Sequence, residues 1–407
     1  MYDPDLSKVR FTGPLAKFAS GWREVLVAEG YAASSAAVKL QLAAHLSRWL
    51  QENKFEAWDL TEPVIKAFLV ERRATYTHLI SLEALGPFLE YLRVLGVVPD
   101  LEPRLPVTDQ EILLAEYQDY LLVRRGLSTP VITAYGHWIM PFLDYLQDVG
   151  CQVKDGELDG EIIAAYLVSR LVGLSRKSAK MTTSVLRSFL GFIHTAGYNT
   201  ASLATAIPPI TAWRLSGLPQ PLTREETAAL LAAADRTTDA GKRDYAIVLL
   251  LLRTALRCQE VAVMSLDDLD WGSGTVVIHG KGGRVDTVPV PIDVGTALVD
   301  YLREARPPGL ESREVFIRLC APYRGLTRTS VTCIVGRLAK KAGLGTVHAH
   351  RLRHTAASNV LNAGASMEEV AQFLRHASTE TSTIYAKTDM TRLSGLSRPW
   401  PVAGERA

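Results

Sequence analysis

The 407 residues are 47% hydrophobic and 22% charged with a formal net charge of +2, the composition of an ordinary globular chain long enough for two or three cores. The longest apolar run, Ala246 to Leu252, is far too short to cross a bilayer and no basic-plus-apolar leader opens the chain, so a membrane protein is excluded and a cytoplasmic one expected. Cys151, Cys258, Cys320 and Cys333 are scattered, without CxxC or Cys/His ligand spacing, so neither a disulfide framework nor a zinc site is indicated; reduced, mostly buried thiols are expected.

Two proline-rich stretches, VVPDLEPRLPVTD at 97–109 and IPPITAWRLSGLPQPLT at 207–223, favour extended connections over helix and divide the chain into 1–103, 104–213 and 214–407. Apolar residues in the first two segments recur at helical spacing, and the segments resemble each other. LSRWLQENKFE from Leu46 aligns with FLDYLQDVGCQ from Phe142, VIKAFLVERR from Val64 with IIAAYLVSRL from Ile162, and FLEYLRVLGV from Phe88 with FLGFIHTAGY from Phe189. An offset that stays between 96 and 101 residues is that of an internal duplication, here of two small helical bundles. The first segment is slightly acidic, with 11 Lys and Arg against 13 Asp and Glu, which suits assembly or accessory contacts. The second holds a stretch without acids, Ile162 to Leu190, that carries Arg170, Arg176, Lys177, Lys180 and Arg187.

The third segment is mixed. Thr223 followed by Glu226 predicts a capping box opening a helix, and RDYAIVLLLLRTALR predicts a buried helix by apolar density. GTVVIHGKGGRVDTVPVP predicts a β-hairpin turning at Gly280, Lys281, Gly282 and Gly283, and the remainder is helical again. The fold class is therefore mainly α with a small β-hairpin or sheet (α+β). The acidic run LDDLDW, with Asp267, Asp268 and Asp270, reads as a solvated turn in preference to a metal site, because no histidine accompanies it. From Val315 to Met367 there is no acid at all, while eight Lys and Arg fall in the window, and HAHRLRHTAAS at 348–358 concentrates them. Cations crowded without a counter-charge call for an anion among them.

Five features stand in order along this segment: TALRCQEV with Arg257 and Glu260, Lys281 in the hairpin turn, HRLRHT with His350 and Arg353, FLRHAS with His376, and TSTIYAK with Tyr385. Their order and spacing resemble the tyrosine recombinases, the phage-integrase family of site-specific DNA recombinases, from about Leu222 to Lys387 and more loosely through the helical segment before it. Two positions depart from the family: Ala255 and Arg375 stand where it commonly has glycine. The resemblance implies two helical SAM-like N-terminal modules ahead of a recombinase catalytic domain. It further implies a tetrameric synapse on double-stranded DNA, in which the middle module and the catalytic domain grip the duplex from opposite sides, with sister recombinases or DNA-bending proteins as further partners.

The chemistry suits these residue types. Attack on a phosphodiester builds negative charge, and arginine forks meet phosphate oxygens with two parallel hydrogen bonds at any working pH. Arg257 and Arg353 would form that clamp, with His350 one helical turn from Arg353 and His354 beside it. By resemblance Tyr385 is the nucleophile that forms a 3′-phosphotyrosyl link, His350 the base, His376 a donor to the phosphate and Lys281 the acid that protonates the departing 5′ oxygen. One phosphodiester is exchanged for another of similar energy, so no cofactor, metal or nucleotide is required. Glu260 holds the site together, His348 and Arg351 face solvent or DNA backbone, and Arg176, Lys177, Lys180 and Arg187 touch phosphates without reading bases. The extra module at 1–103 favours integration or transposition of a mobile element over resolution of chromosome dimers; a catalytically silent DNA-binding protein of the same fold is the rival from another class.

Overall fold

The computed structural model describes residues 9–98, 106–210, 221–280 and 283–375. The first helical segment comprises α1 (Ala19–Ala28), α2 (Ala33–Glu52), α3 (Glu62–Thr75) and α4 (Leu82–Val94). The second comprises α5 (Asp109–Val123), α6 (Thr129–Asp148), α7 (Gly160–Leu171) and α8 (Arg176–Thr195). Helix order and the 20-residue length of the second helix are the same in both, and a single 3-10 turn follows that helix in each, Ala57–Asp59 and Val153–Asp155.

The cores repeat as well. Trp22 packs on Phe88 with ring centroids 5.4 Å apart, and Tyr117 packs on Phe189 at 5.1 Å in the corresponding place. Trp49 meets Phe68 edge-on at 5.7 Å, and Tyr145 meets Tyr166 at 5.4 Å. Burying such rings contributes roughly 1.5 to 3 kcal/mol each, which holds short amphipathic helices together. The ends of α2 and α6 close identically: Phe55 N–H donates to Leu50 O, Cys151 N–H to Leu146 O, both at 2.9 Å, with a left-handed residue just before, Lys54 (φ +60) or Gly150 (φ +71).

The third segment builds a larger core around α10 (Asp239–Thr254), whose buried face runs from Ala246 to Leu252. Thr223 opens α9 (Arg224–Ala232) with the expected capping box: its hydroxyl accepts from Glu226 N at 3.1 Å and Glu226 accepts from Thr223 N at 2.9 Å. After α11 (Cys258–Ala262), strands β1 (Leu269–Asp270), β2 (Thr275–His279) and β3 (Val285–Pro289) form an antiparallel sheet in chain order, with Val276 paired to Leu269 on one side and Val288 on the other. The hairpin is as expected, while β1 is an addition: it arises inside the acidic run. There Asp268 caps Ser265 N at 2.8 Å and takes a bond from His279 at 3.0 Å, and Asp270 closes a turn on Gly272 N at 2.9 Å. The chain ends its described part with α12 (Ile292–Glu304), α13 (Arg328–Lys341), α14 (Ala349–Asn362) and α15 (Met367–Phe373).

The chain separates into two compact units, Met1–Asp100 with Gly217–Ala407, and Leu101–Ser216. Within the first unit the α1–α2 turn meets the loop before α13: Arg324 bonds the Glu29 carboxylate at 2.9 Å and Tyr323 N–H donates to Glu29 O at 3.2 Å. Gly30 (φ +80) lies against the Tyr323 ring, where any side chain would collide. All four cysteines are free, but the expectation of mostly buried thiols fails. Cys151 and Cys258 are half-buried, whereas Cys333, on the outer side of α13, and Cys320, in the loop, are exposed. Among the described residues no helix is long and apolar enough to span a membrane.

Lys54 is an exposed, side-chain-bearing residue in a conformation that costs an L-residue roughly 1 to 2 kcal/mol, whereas Gly150 fills the same place without that cost. Lys54→Gly is expected to stabilise the chain by up to about 1 kcal/mol and Gly150→Ala to destabilise it by about as much. Urea unfolding of the two variants checks this; an unchanged midpoint in both would contradict it.

Candidate active site

Apolar density predicts a buried helix running through Arg257, but the helix stops at Thr254 because Ala255 turns left-handed (φ +51). The reversal makes Arg257 the N-cap of α11 and brings its guanidinium to the surface, with the side chain 45% exposed. Glu260 lies beneath it, fully packed: one carboxylate oxygen takes Arg257 Nη1 at 2.7 Å and the other takes Arg257 N at 2.8 Å. Burial pushes the Glu260 carboxyl up, but these two bonds and the charges of Arg375 and Arg257 outweigh it, so it is held below the usual carboxylate range. Glu260 is thus an anion that fixes arginines, matching the supporting role read from its spacing.

Arg353 comes from α14 and is only 3% exposed. Its Nη1 donates to the carbonyl of Ala255 and its Nη2 to that of Leu374. The first carbonyl belongs to the left-handed residue that ends α10, and the second precedes Arg375, which is left-handed too (φ +51). Both family-glycine positions therefore keep the glycine conformation while carrying side chains. On the same helix His350 is exposed and its ring stacks edge-on against His354, centroids 4.4 Å apart. Burial, then the charges of His350 and Arg353, lowers the His354 pKa to about 4, so His354 is a neutral ring at working pH.

Of the six catalytic candidates three lie among the described residues: Arg257 bonds Glu260, which Arg375 also bonds, Arg353 bonds the carbonyls of Ala255 and of Leu374 next to Arg375, and His350 stacks on His354 one turn along the same helix as Arg353. Lys281, His376 and Tyr385 lie outside the described residues; the strands flanking Lys281 are paired, and Gly280 N–H closes the turn on Arg284 O at 2.7 Å. Arg351 does not face open solvent: it reaches back to Glu226 at 3.3 Å and is half-buried, whereas His348 is exposed at the N-cap of α14. On α8, Arg176, Lys177 and Lys180 are exposed. Arg187 is not among them: it turns inward and donates to Ile207 O at 3.2 Å and Pro208 O at 3.0 Å, because its face of α8 packs on the chain that follows. Among the described residues no cluster of His, Cys, Asp and Glu could hold a metal ion. The side chain that sequence reasoning undervalues is Arg375, visible there only as a backbone departure; it donates from Nη2 to Glu260 Oε2 at 2.8 Å.

Residues 220–392 match the model of the phage integrase family, and 114–197 match that of the phage integrase N-terminal SAM-like domain. A protein of Sinorhizobium fredii (strain NBRC 101917 / NGR234) named as integrase/recombinase y4rA is 34% identical over 394 residues, 96% of this chain and 95% of that protein. The chain belongs to the phage integrase family of tyrosine recombinases. Tyrosine recombinase XerD of Listeria monocytogenes (strain ATCC BAA-679 / EGD-e) is 31% identical over 289 residues, which is 96% of XerD but 70% of this recombinase. Among solved structures, the XerH site-specific recombinase bound to palindromic difH substrate covers 83% of this chain and 94% of its own at TM-score 0.58 and 20% identity. A lambda integrase (75-356) dimer bound to a COC′ core site covers 72% and 99% at TM-score 0.55 and 18% identity. At those identities the likeness is one of fold, mainly helical with a small sheet. The recombinase is an enzyme of the tyrosine site-specific class.

Because the folded pKa of His354 lies far below the ordinary 6.5, the unfolded chain takes up a proton there first as pH falls. Stability is therefore expected to drop between about pH 6.5 and 4, and His354→Gln to flatten that part of the profile. Thermal unfolding across that range measures it; an equal slope in the variant would contradict the assignment.

Proposed function

We propose that the recombinase cleaves and rejoins duplex DNA through a 3′-phosphotyrosyl intermediate. The observation that carries this reading is that Arg375 bonds the same Glu260 carboxylate as Arg257 while the preceding Leu374 carbonyl takes Arg353, in a chain whose family match runs to residue 392 and so includes Lys281, His376 and Tyr385. Tyr385 Oη attacks the phosphorus, the bond to the 5′ oxygen breaks, His350 receives the tyrosine proton and Lys281 supplies one to the leaving oxygen. Arg257, exposed above Glu260, meets the charge that grows on the non-bridging oxygens, joined by His376 and by those N–H hydrogens of the buried Arg353 that are not given to the carbonyls of Ala255 and Leu374. Religation is the reverse attack by a 5′ hydroxyl, so no metal or nucleotide enters the cycle.

The proposal extends to organisation: modules 1–103 and 104–213 ahead of a catalytic domain at 214–407, working as a tetramer on two DNA sites. Relatives solved on DNA, one of them a lambda integrase tetramer bound to a Holliday junction, support that reading. Integration or transposition of a mobile element is favoured over resolution of chromosome dimers. XerD is matched over nearly its whole length without accounting for 30% of this chain, whereas y4rA matches almost all of it. Arg176, Lys177 and Lys180 are assigned to phosphates.

A nicked cognate substrate on a denaturing gel tests the chemistry. Wild type is expected to give a slow-migrating covalent adduct in EDTA without nucleotide. Tyr385→Phe should bind DNA but give none, and Arg257→Ala should lose on the order of 10² to 10³ in cleavage rate, as when one oxyanion donor is removed. An adduct that persists in Tyr385→Phe would refute the nucleophile, and no adduct from any cognate site would favour a silent binder. Lys177→Ala with Lys180→Ala should weaken specific and random DNA alike and flatten the salt dependence by a slope of roughly 0.9 for each phosphate that is no longer neutralised. A change of specificity with an unchanged slope would mean that these residues read bases.

A further inference from the structure

Among the described residues only Lys54, Leu79, Ala255 and Arg375 are non-glycine residues with positive φ. Arg375 is the one whose long charged side chain is also buried, 9% exposed. A glycine there would relieve both the steric strain of the left-handed backbone and the desolvation of the guanidinium. Strain that persists where a smaller residue would remove it points to use of the side chain. That side chain reaches one group of the site: Arg375 Nη2 lies 2.8 Å from Glu260 Oε2, while Glu260 Oε1 takes Arg257 Nη1 at 2.7 Å. One buried carboxylate is therefore shared between two arginines, one exposed and one buried. If Arg257 alone faced Glu260, the pair would be formally neutral. With Arg375 on the second oxygen the three groups keep a net positive charge, and the carboxylate is held from both ends, which fixes the direction in which it presents Arg257.

We propose that Arg375 is a positioning residue of the recombinase, which clamps the Glu260 carboxylate so that Arg257 is held toward the scissile phosphate with its charge uncancelled. The assignment rests on the phosphotyrosyl reading above. It also accounts for the placement of the clamp: Leu374 O takes Arg353 and the next residue, Arg375, takes Glu260, so two successive residues after α15 engage Arg353 directly and Arg257 through Glu260. The charged groups that act on Glu260 are Arg375 and Arg257, and changing Arg375 leaves Arg257 in place on the α10–α11 turn.

The test is single-turnover cleavage of the nicked substrate by the full chain, with Arg375→Gly and Arg375→Met placed in wild-type and Glu260→Gln backgrounds, each over a range of pH. Arg375→Gly keeps the left-handed turn without strain, so it separates the side chain from the backbone. Both variants are expected to bind DNA as wild type does and to cleave on the order of 10- to 100-fold more slowly, the scale of a misplaced catalytic group. Their acidic limb should move to higher pH, because Glu260 loses a cation that favours its charged form and is protonated sooner as pH falls. In the Glu260→Gln background neither the rate nor the limb should respond to Arg375. A structural role would instead lower the rate equally at all pH and persist in that background, and that result overturns the proposal. So does wild-type cleavage by Arg375→Gly. Absence of an adduct from wild type itself would sink the phosphotyrosyl reading and this one together, whereas an adduct formed equally well by Arg375→Gly would sink only this one.

Discussion

The centre of the recombinase depends on one buried guanidinium. A charge with so little exposure is tolerated only where its N–H groups meet acceptors, and Arg353 meets the carbonyls of Ala255 and Leu374. Those carbonyls belong to two chain reversals far apart in sequence, so a single side chain from α14 fixes the end of α10 and the end of α15 at once. A shared apolar cluster, Ala255, Ala356, Ala357, Leu361, Val370 and Leu374, packs the end of α10 against α14 and α15, with alanines on the first two pieces where the backbones meet. Left-handed backbone at Ala255 and Arg375 is sustained by that over-determination and not by local preference.

The two helical segments show the opposite economy, in which the same solution is used twice. Their matched ring pairs and matched helix ends preserve geometry while the residues differ: tryptophan becomes tyrosine, and lysine stands where its counterpart has glycine. The face of α8 carries exposed Arg176, Lys177 and Lys180, whereas the α1–α2 turn presents an acid, Glu29, to Arg324 of the loop before α13.

Much of this is legible in the sequence, because it rests on local rules. The capping box at Thr223 and Glu226, the glycine-turned hairpin and the apolar density of α10 are each written within a few residues of where they act, and the likeness of the two helical segments shows through an offset that stays between 96 and 101 residues. What is not legible depends on distant partners. Nothing near Arg187 announces Ile207 O and Pro208 O, nothing near Arg351 announces Glu226, and β1 forms from an acidic run only because β2 lies alongside it. By its sequence Arg257 belongs to a continuous helix; the break before it follows from a tertiary clamp on Ala255 that local propensity does not encode. Arg375 is visible as an oddity in its motif, and its use becomes apparent only with Glu260 in place.

The distribution of thiols has a practical side. Cys320 and Cys333 are exposed, while Cys258, the residue after Arg257, is half-buried with its thiol pushed up by that burial. Thiolate is the reacting form, so an alkylating probe will modify the two surface cysteines first and reach Cys258 slowly. Once those positions are blocked, Cys151 and Cys258 are the thiols left, and in a Cys151→Ser variant the rate at which Cys258 reacts becomes a clock for how often the turn bearing Arg257 opens.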